Sequence, residues 1–332
     1  MKSILITGSN GFLGSHLLSK FLNKNEFGFI EKIIGIDNFI CSNKSTKNEY
    51  SSKYTFIESN LIKFDFNQLE KFDTVIHLAS IASPVHYKRF PLETIDIGTT
   101  VTRRLLEKCK EWNARFIFFS SSEIYGNPSP DNLPTSEEYK GYVSCQGPRS
   151  CYVEGKRLGE TLCYLYASKH NLKTNIIRPF NIYGPGMSIE TDYRMVPNLI
   201  KSALKKQRIS IYGDGNQTRT FCYYTDAIDG IIKVIKNGVY GETYNIGNDK
   251  PEISMIDLVK LFRKTINIDL SYKLTPYPEY YPDDEPVRRL ASIDKARGHL
   301  NFHPKVNLET GLTRTWTWAL NNGLNENNIF DK

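Results

Sequence analysis

Tyr152 and Lys156 stand four positions apart in a stretch of helical periodicity over residues 152–170, a spacing that puts both side chains on one helical face. An ammonium beside a phenol favours the phenolate and lowers its pKa from about 10. The result is a base able to take the proton of an alcohol while hydride leaves the same carbon. With 20 tyrosines in the chain such a pair also arises by chance, so its neighbours decide its meaning. The run Ser120-Ser121-Ser122-Glu123-Ile124-Tyr125-Gly126 follows an apolar segment, residues 116–119. If that segment is a strand, its hydroxyls and carboxylate emerge at the C-terminal edge of a sheet, where open α/β folds bind ligands. Hydroxyl, carboxylate, phenol and ammonium together can orient a substrate and handle its protons.

Positioning such a set needs a framework, and the chain alternates short β-branched runs with helix-period stretches through its first half. Residues 2–7, 32–37, 74–78, 115–120 and 174–179 read as strands, and 12–22, 99–112 and 152–170 as helices. This alternation predicts an α/β fold, a Rossmann-type doubly wound parallel sheet with helices on both faces. Beyond residue 180 the pattern is mixed, with helices expected at 195–205, 225–236, 254–265 and 308–321, and the Pro- and Tyr-rich tract 275–286 as a loop. Residues 1–180 are expected to form mainly the cofactor domain and 181–321 mainly a smaller mixed α/β substrate lobe. The chain is expected to cross between them, with 322–332 a polar tail.

Gly8, Gly11 and Gly14 form G-x-x-G-x-x-G between the first strand and the first helix. There the backbone must turn sharply and approach a pyrophosphate, whose charge then meets the helix N-terminus. The second strand ends in Asp37-Asn38, and a carboxylate at that point accepts hydrogen bonds from ribose hydroxyls and repels a 2′-phosphate, favouring NAD over NADP. Lys44 and Lys47 in the loop beyond could still meet a phosphate.

Composition narrows the function classes. The chain has 332 residues, 40% of them hydrophobic, enough for a sizeable core. Six cysteines (41, 109, 145, 151, 163 and 222) show no C-x-x-C pair and read as reduced packing residues. No H-E-x-x-H motif occurs, so no metal is expected, and His77 reads as a core or cofactor-pocket residue. The net charge of +7 is dispersed, so no nucleic-acid partner is expected and an anionic small molecule fits as well. No apolar run approaches the roughly 20 residues that span a bilayer. The start, MKSILITG, leaves no room for a signal-peptide core, so a cytoplasmic protein without membrane contact is expected.

On these residues, together with His77-Leu78-Ala79, Arg178-Pro179-Phe180-Asn181 and the Gly213–Arg219 stretch, the chain resembles the extended short-chain dehydrogenase/reductases of the NAD-dependent epimerase/dehydratase family. The resemblance runs from Gly8 to about Leu320. It implies NAD held by Asn10, Phe12 and Leu13 beside the three glycines, by Asp37 and Asn38, by Asn60 and Leu61 at the adenine, by Leu78, Ala79 and Ser80, and by Tyr152, Lys156 and Pro179. It also implies a nucleotide-diphosphate sugar substrate and a homodimer built on the helices at 99–112 and 152–170.

Within the family the chain is most similar to the UDP-glucuronate decarboxylases, through Leu78-Ala79-Ser80-x-Ala82-Ser83-Pro84, Gly147–Arg157 and Gln217–Phe221. That resemblance implies a UDP-sugar oxidised at C4, losing CO2 from C6 and reduced again. Ser121 would hold the C4 oxygen, with Ser122 and Glu123 near C5 and C6. Ser83, Pro84, Asn181, Arg194, Tyr212, Arg219 and Arg288 would bind substrate, Arg219 pairing with an anionic group and Arg288 with the diphosphate. Arg157 reads instead as a surface charge. Ser122 stands where 4,6-dehydratases carry the aspartate that protonates a departing hydroxyl. The chain departs from the decarboxylase pattern at Val153, Ile95, Leu290-Ala291-Ser292 and in a shortened segment around 91–99. Dehydration, epimerisation and C4 oxidation therefore stand as alternatives, with a non-catalytic NAD-binding scaffold the remote one.

Overall fold

The computed structural model describes residues 1–42, 51–192, 194–277 and 286–322. Strands β1 (Ser3–Thr7), β2 (Lys32–Asp37), β3 (Tyr54–Glu58), β4 (Thr74–His77), β5 (Arg115–Phe119), β6 (Thr174–Pro179) and β7 (Thr243–Ile246) form one sheet in the order β7-β6-β5-β4-β1-β2-β3, every pair parallel. This is the Rossmann-type doubly wound arrangement, and its switch point lies between β1 and β4, whose C-terminal ends open a crevice. Ile4, Leu5, Ile6, Val75, Ile76, Phe116, Ile117 and Phe118 are fully buried, as expected of parallel strands covered on both faces.

Helix α1 (Phe12–Leu22) follows β1. Short helices α2 (Pro84–Arg89) and α3 (Pro91–Asp96) lead through a π-turn, Ile97–Val101, into α4 (Thr102–Trp112). The helix expected at 99–112 thus begins at Pro91, a residue suited to a first helical turn because its missing N–H has no helical partner there anyway. Helix α5 (Ser150–His170) crosses this assembly at three glycines. A Cβ on Gly98 would stand 2.9 Å from the backbone of Gly155, and one on Gly159 would stand 2.8 Å from the carbonyl of Gly98.

Two sheet strands escape the sequence reading. β3 lies at an edge and is only half buried, so its apolar signal is weak. β7 is short and carries Asn245 in its middle. Asn245 is buried, accepts from the Tyr125 hydroxyl (2.7 Å) and donates to the carbonyls of Thr135 and Ser292 (3.0 Å each). The chain returns to the first layer after residue 180 with β7 and with the helix Tyr224–Asn237, which packs on α1. The helices Met195–Leu204, Met255–Ile266 and Leu308–Asn322 bury Leu199, Ile200, Leu258, Phe262 and Leu312 in a separate apolar cluster. Lys44, Lys47, most of the 275–286 tract and the expected tail beyond Asn322 lie outside the described residues.

Candidate active site

The turn between β1 and α1 uses its glycines differently. Gly8 has a φ of +73°, and a Cβ there would stand 2.6 Å from the Ala79 nitrogen; at Gly14 it would stand 2.1 Å from the Gly8 carbonyl oxygen. Those two glycines let backbone meet backbone. A Cβ on Gly11 would meet only the Gly8 oxygen, at 3.4 Å, and Gly11 lines a cleft with Gly8, Asp37, Asn38, Asn60, Leu61, Leu78, Ala79 and Ser80. Asn10 is buried, and its side-chain nitrogen has no hydrogen-bond partner among the described residues. A buried orphan amide beside a helix N-terminus suits a phosphate-bearing ligand. Phe12 and Leu13, in the first turn of α1, pack partly buried against the sheet core.

Asp37 accepts the backbone N–H groups of Asn10 (2.9 Å), Asn38 (2.8 Å) and Phe39 (2.9 Å). Its carboxylate is fixed at the end of β2 facing the cleft. Asn60 accepts from the Ile62 N–H through its side-chain oxygen (3.0 Å), which retains a second lone pair for a base. The residues present fit NAD: backbone room at Gly11, an orphan donor at Asn10 and an acid at Asp37.

His77 is buried, and burial pushes its imidazole down to about 3, with the Lys156 charge adding to the effect. Its Nε2 lies 3.2 Å from the Ile97 carbonyl and its Nδ1 2.6 Å from the Thr7 hydroxyl. A carbonyl only accepts, so the neutral ring carries its proton on Nε2. His77 ties the π-turn to the sheet.

Tyr152 and Lys156 project from α5 beneath the end of β5. Both are buried, and Lys156 Nζ donates to the Phe119 carbonyl (2.6 Å) and lies 5.9 Å from the centre of the Tyr152 ring. The lysine was expected to lower the phenol's pKa, but the structure moves the phenol the other way. Burial pushes Tyr152 up to about 12, against the lowering effect of hydrogen bonding to Ser121 and Ser80 and of the Arg194 charge. Burial also pushes Lys156 down to about 7. Burial strips hydration from both groups and so disfavours the phenolate and the ammonium alike. The Tyr152 ring stacks on Tyr87 of α2, centroids 5.6 Å apart, which brings α2 to the same site. Ser83 caps α2, its hydroxyl buried without a partner among the described residues, and Pro84 is the first helical residue.

Ser121 and Ser122 are buried, and the Ser121 hydroxyl accepts the Glu123 N–H (3.2 Å). Glu123 is the charge centre of the site. Arg289 donates to both of its oxygens (2.6 and 3.1 Å), and Arg149 donates to one (3.0 Å). Burial alone would raise this carboxyl, but Arg289, Arg149 and Arg219 outweigh it and hold it down to about 2.

Arg288 is the arginine the sequence points to, and it is its neighbour Arg289 that the structure turns towards Glu123. Strand Arg288–Arg289 pairs with Thr218–Arg219 in parallel register, Arg288 opposite Thr218 and Arg289 opposite Arg219. Successive strand residues face opposite sides, so Arg289 and Arg219 turn towards Glu123. Arg288 turns away, held bidentately by Glu252 (2.7 Å twice). Arg219 is buried and donates to the carbonyls of Thr218 (2.8 Å) and Val287 (3.2 Å). The sequence reading gave neither Arg149, within the Gly147–Arg157 run, nor Arg289 a role at Glu123, since neither carries a spacing signal and both reach it across large sequence separations.

The remaining predicted residues are spread around this centre. Arg194 pairs with Asp192 close enough to Tyr152 and Glu123 for their charges to act on it. Asn181 takes a φ of +40° and donates to the Thr220 carbonyl (2.9 Å), joining the end of β6 to the segment after Arg219. Pro179 ends β6. Tyr212 lies farther out, its ring tilted against Tyr277 at 5.9 Å. Among the described residues no group of three or more His, Cys, Asp and Glu is placed to hold a metal ion, and no helix is long and apolar enough to cross a membrane.

The chain is similar to known proteins over most of its length. UDP-glucuronic acid decarboxylase 1 of Arabidopsis thaliana is 36% identical over 325 residues, covering 97% of this chain and 71% of its own. UDP-glucuronic acid decarboxylase 3 of the same plant is 37% identical over 311 residues, covering 93% and 86%. UDP-glucuronic acid 4-epimerase from Bacillus cereus, solved with UDP-glucuronic acid and NAD, superposes with a TM-score of 0.83 at 30% identity, covering 97% of this chain and 100% of its own. Residues 4–247 match the profile of the NAD dependent epimerase/dehydratase family. The chain belongs to the NAD dependent epimerase/dehydratase family.

Proposed function

We propose that this enzyme decarboxylates a UDP-uronic acid through a 4-keto intermediate, converting UDP-glucuronate to UDP-xylose. The observation that carries the reading is the state of Glu123. Arginines lock it as a carboxylate, and its neighbour Ser122 is a hydroxyl. Neither group is a carboxylic acid able to protonate a departing 6-hydroxyl, as dehydration requires. The two decarboxylase relatives support the same choice.

Bound NAD, held by Gly8, Gly11, Asn10 and Asp37, supplies hydride acceptance and return at C4. Tyr152 takes the proton of the C4 hydroxyl in its phenolate form, the minor form that burial leaves at neutral pH, and Ser121 orients that oxygen. With C4 a ketone, the C6 carboxylate belongs to a β-keto acid. The C5–C6 bond breaks, its electron pair passes into the C4–C5 enolate and CO2 leaves; C5 then takes a proton from water. Tyr152, now a neutral phenol, donates a hydrogen bond to the enolate oxygen. Arg219 and Arg289 supply positive charge for the substrate's anionic groups.

The test is incubation of the purified protein with UDP-glucuronate and analysis of the products by mass spectrometry. Loss of CO2 is expected. An isomer of unchanged mass would make the enzyme a 4-epimerase, and loss of water from a UDP- or dTDP-hexose would make it a dehydratase.

Leu92 of α3 and Leu158, Tyr164 and Leu165 of α5 are large apolar side chains left exposed. A second copy of the chain covering these residues gives the homodimer we infer, and light scattering on the purified protein should return twice the 38.2 kDa chain mass.

A further inference from the structure

Three consecutive residues of the turn after β5 are each held by a different arginine. Arg149 donates to the Glu123 carboxylate at 3.0 Å. Arg157 donates through one nitrogen to the carbonyls of Ile124 (3.3 Å) and Lys140 (2.9 Å). Arg178 donates to the Tyr125 hydroxyl at 2.7 Å, and that hydroxyl donates onward to Asn245.

All three ties lead back to α5. Arg149 is its N-cap residue and Arg157 lies one turn beyond Val153 within it. Arg178, in β6, holds Glu160 of α5 bidentately at 2.9 and 2.6 Å. Helix α5 carries Tyr152 and Lys156, and the turn carries Ser121, Ser122 and Glu123. Two groups of reacting side chains that arise on separate elements are thus joined by guanidinium groups, which stay charged at every working pH and present several donors in a fixed plane. Arg157 and Arg178 bond to backbone carbonyls and to a phenol, whereas Arg289, Arg149 and Arg219 are the arginines whose charge holds Glu123.

We propose that Arg157 and Arg178 are positioning residues, which hold the Ser121–Glu123 turn in register with Tyr152 and Lys156 and touch no substrate themselves. The inference rests on the proposed decarboxylation for its kinetic readout. A tie of this kind acts on the reacting geometry, and misplacement of reacting groups by about 1 Å can cost roughly 100-fold in rate.

Arg157, at the surface end of the network, is the variant that should still fold. Arg157→Met should lower kcat about tenfold with KM within about twofold, and Arg157→Lys should recover much of the loss, since one ammonium can reach both carbonyls. In a Ser121→Ala background the same Arg157→Met change should cost under about threefold, because two residues acting through one geometry are not additive. Hydrogen exchange in the peptide spanning residues 121–126 should quicken in Arg157→Met while α1 and β1 stay unchanged.

Unaltered kcat, an equal loss in the Ser121→Ala background, or unchanged exchange at 121–126 would each overturn the assignment. A wild-type protein that leaves UDP-glucuronate untouched sinks the proposed reaction instead. The exchange measurement then decides the positioning role without reference to any substrate.

Discussion

Arg289 grips Glu123 through both terminal nitrogens, at 2.6 and 3.1 Å, so that a short strand of the second layer closes on the turn that ends β5. Arg288 beside it is half exposed and paired with Glu252 on the opposite face. Arg289→Ala should therefore reduce kcat/KM about 100-fold, in the range for loss of a buried charge-assisted contact. Arg288→Ala should stay within about threefold, the range of an exposed pair. Steady-state kinetics of the two variants side by side checks the assignment, and the reverse ranking would refute it.

The same grip gives an acid dependence. The Glu123 carboxyl is held down to about 2 in the folded chain, against about 4.3 when unfolded. A depressed carboxyl contributes stability that is full above the unfolded value and is lost as pH falls towards the folded one. Wild-type stability should thus fall between about pH 4.5 and 2 more steeply than that of Glu123→Gln. Urea unfolding at pH 5, 4 and 3 measures the difference in slope.

Lys156 behaves in the opposite sense to a paired lysine, because burial pushes it down to about 7. The charged form is penalised in the folded state, so the chain is least stable at and below that pH and gains stability as pH rises towards the unfolded value of about 10.4. Lys156→Met should raise Tm by several degrees at pH 6, by less at pH 9.5, and reduce turnover at least about 1,000-fold. A Tm gain that grows with pH would show the sign to be wrong.

Asp37 spends its carboxylate on three backbone N–H groups while facing the cleft. NAD should bind at least about 100-fold more tightly than NADP, and Asp37→Ser should narrow that gap mainly by weakening NAD. Titration of both dinucleotides by protein fluorescence reads the preference directly.

The glycine crossing of α5 predicts a contrast in stability. A Cβ on Gly159 would stand 2.4 Å from the Phe118 ring and 2.8 Å from the Gly98 oxygen, whereas one on Gly298 meets nothing within 4 Å. Gly159→Ala should destabilise by about 1–3 kcal/mol through overpacking. Gly298→Ala, at an exposed position of the helix Asp294–Leu300, should stabilise by up to about 0.8–1.0 kcal/mol through helix propensity. Urea denaturation resolves both signs.

What the sequence determined by itself is local. The five buried strands of the first half announced themselves because a parallel strand covered on both faces must be an apolar run. The glycine turn, Asp37 at the end of β2 and the Tyr152/Lys156 spacing were legible for the same reason, since each depends on residues within one turn or one strand end. β3 and β7 were not, the first because an edge strand is only half buried and the second because Asn245 interrupts its apolar signal with hydrogen bonds made to distant segments.

Tertiary structure decided the electrostatics. Arg149 and Arg289 come to Glu123 from 26 and 166 residues away, and no sequence period records such a meeting. The choice of Arg289 over Arg288 follows from a two-residue strand whose register is set by its pairing with Thr218–Arg219. The helical spacing of Tyr152 and Lys156 correctly predicted that they share a face, yet it mistook the direction of the phenol's shift. Spacing along a helix fixes which groups are neighbours, whereas burial, which pushed Tyr152 up and Lys156 down, exists only once the surrounding elements have packed.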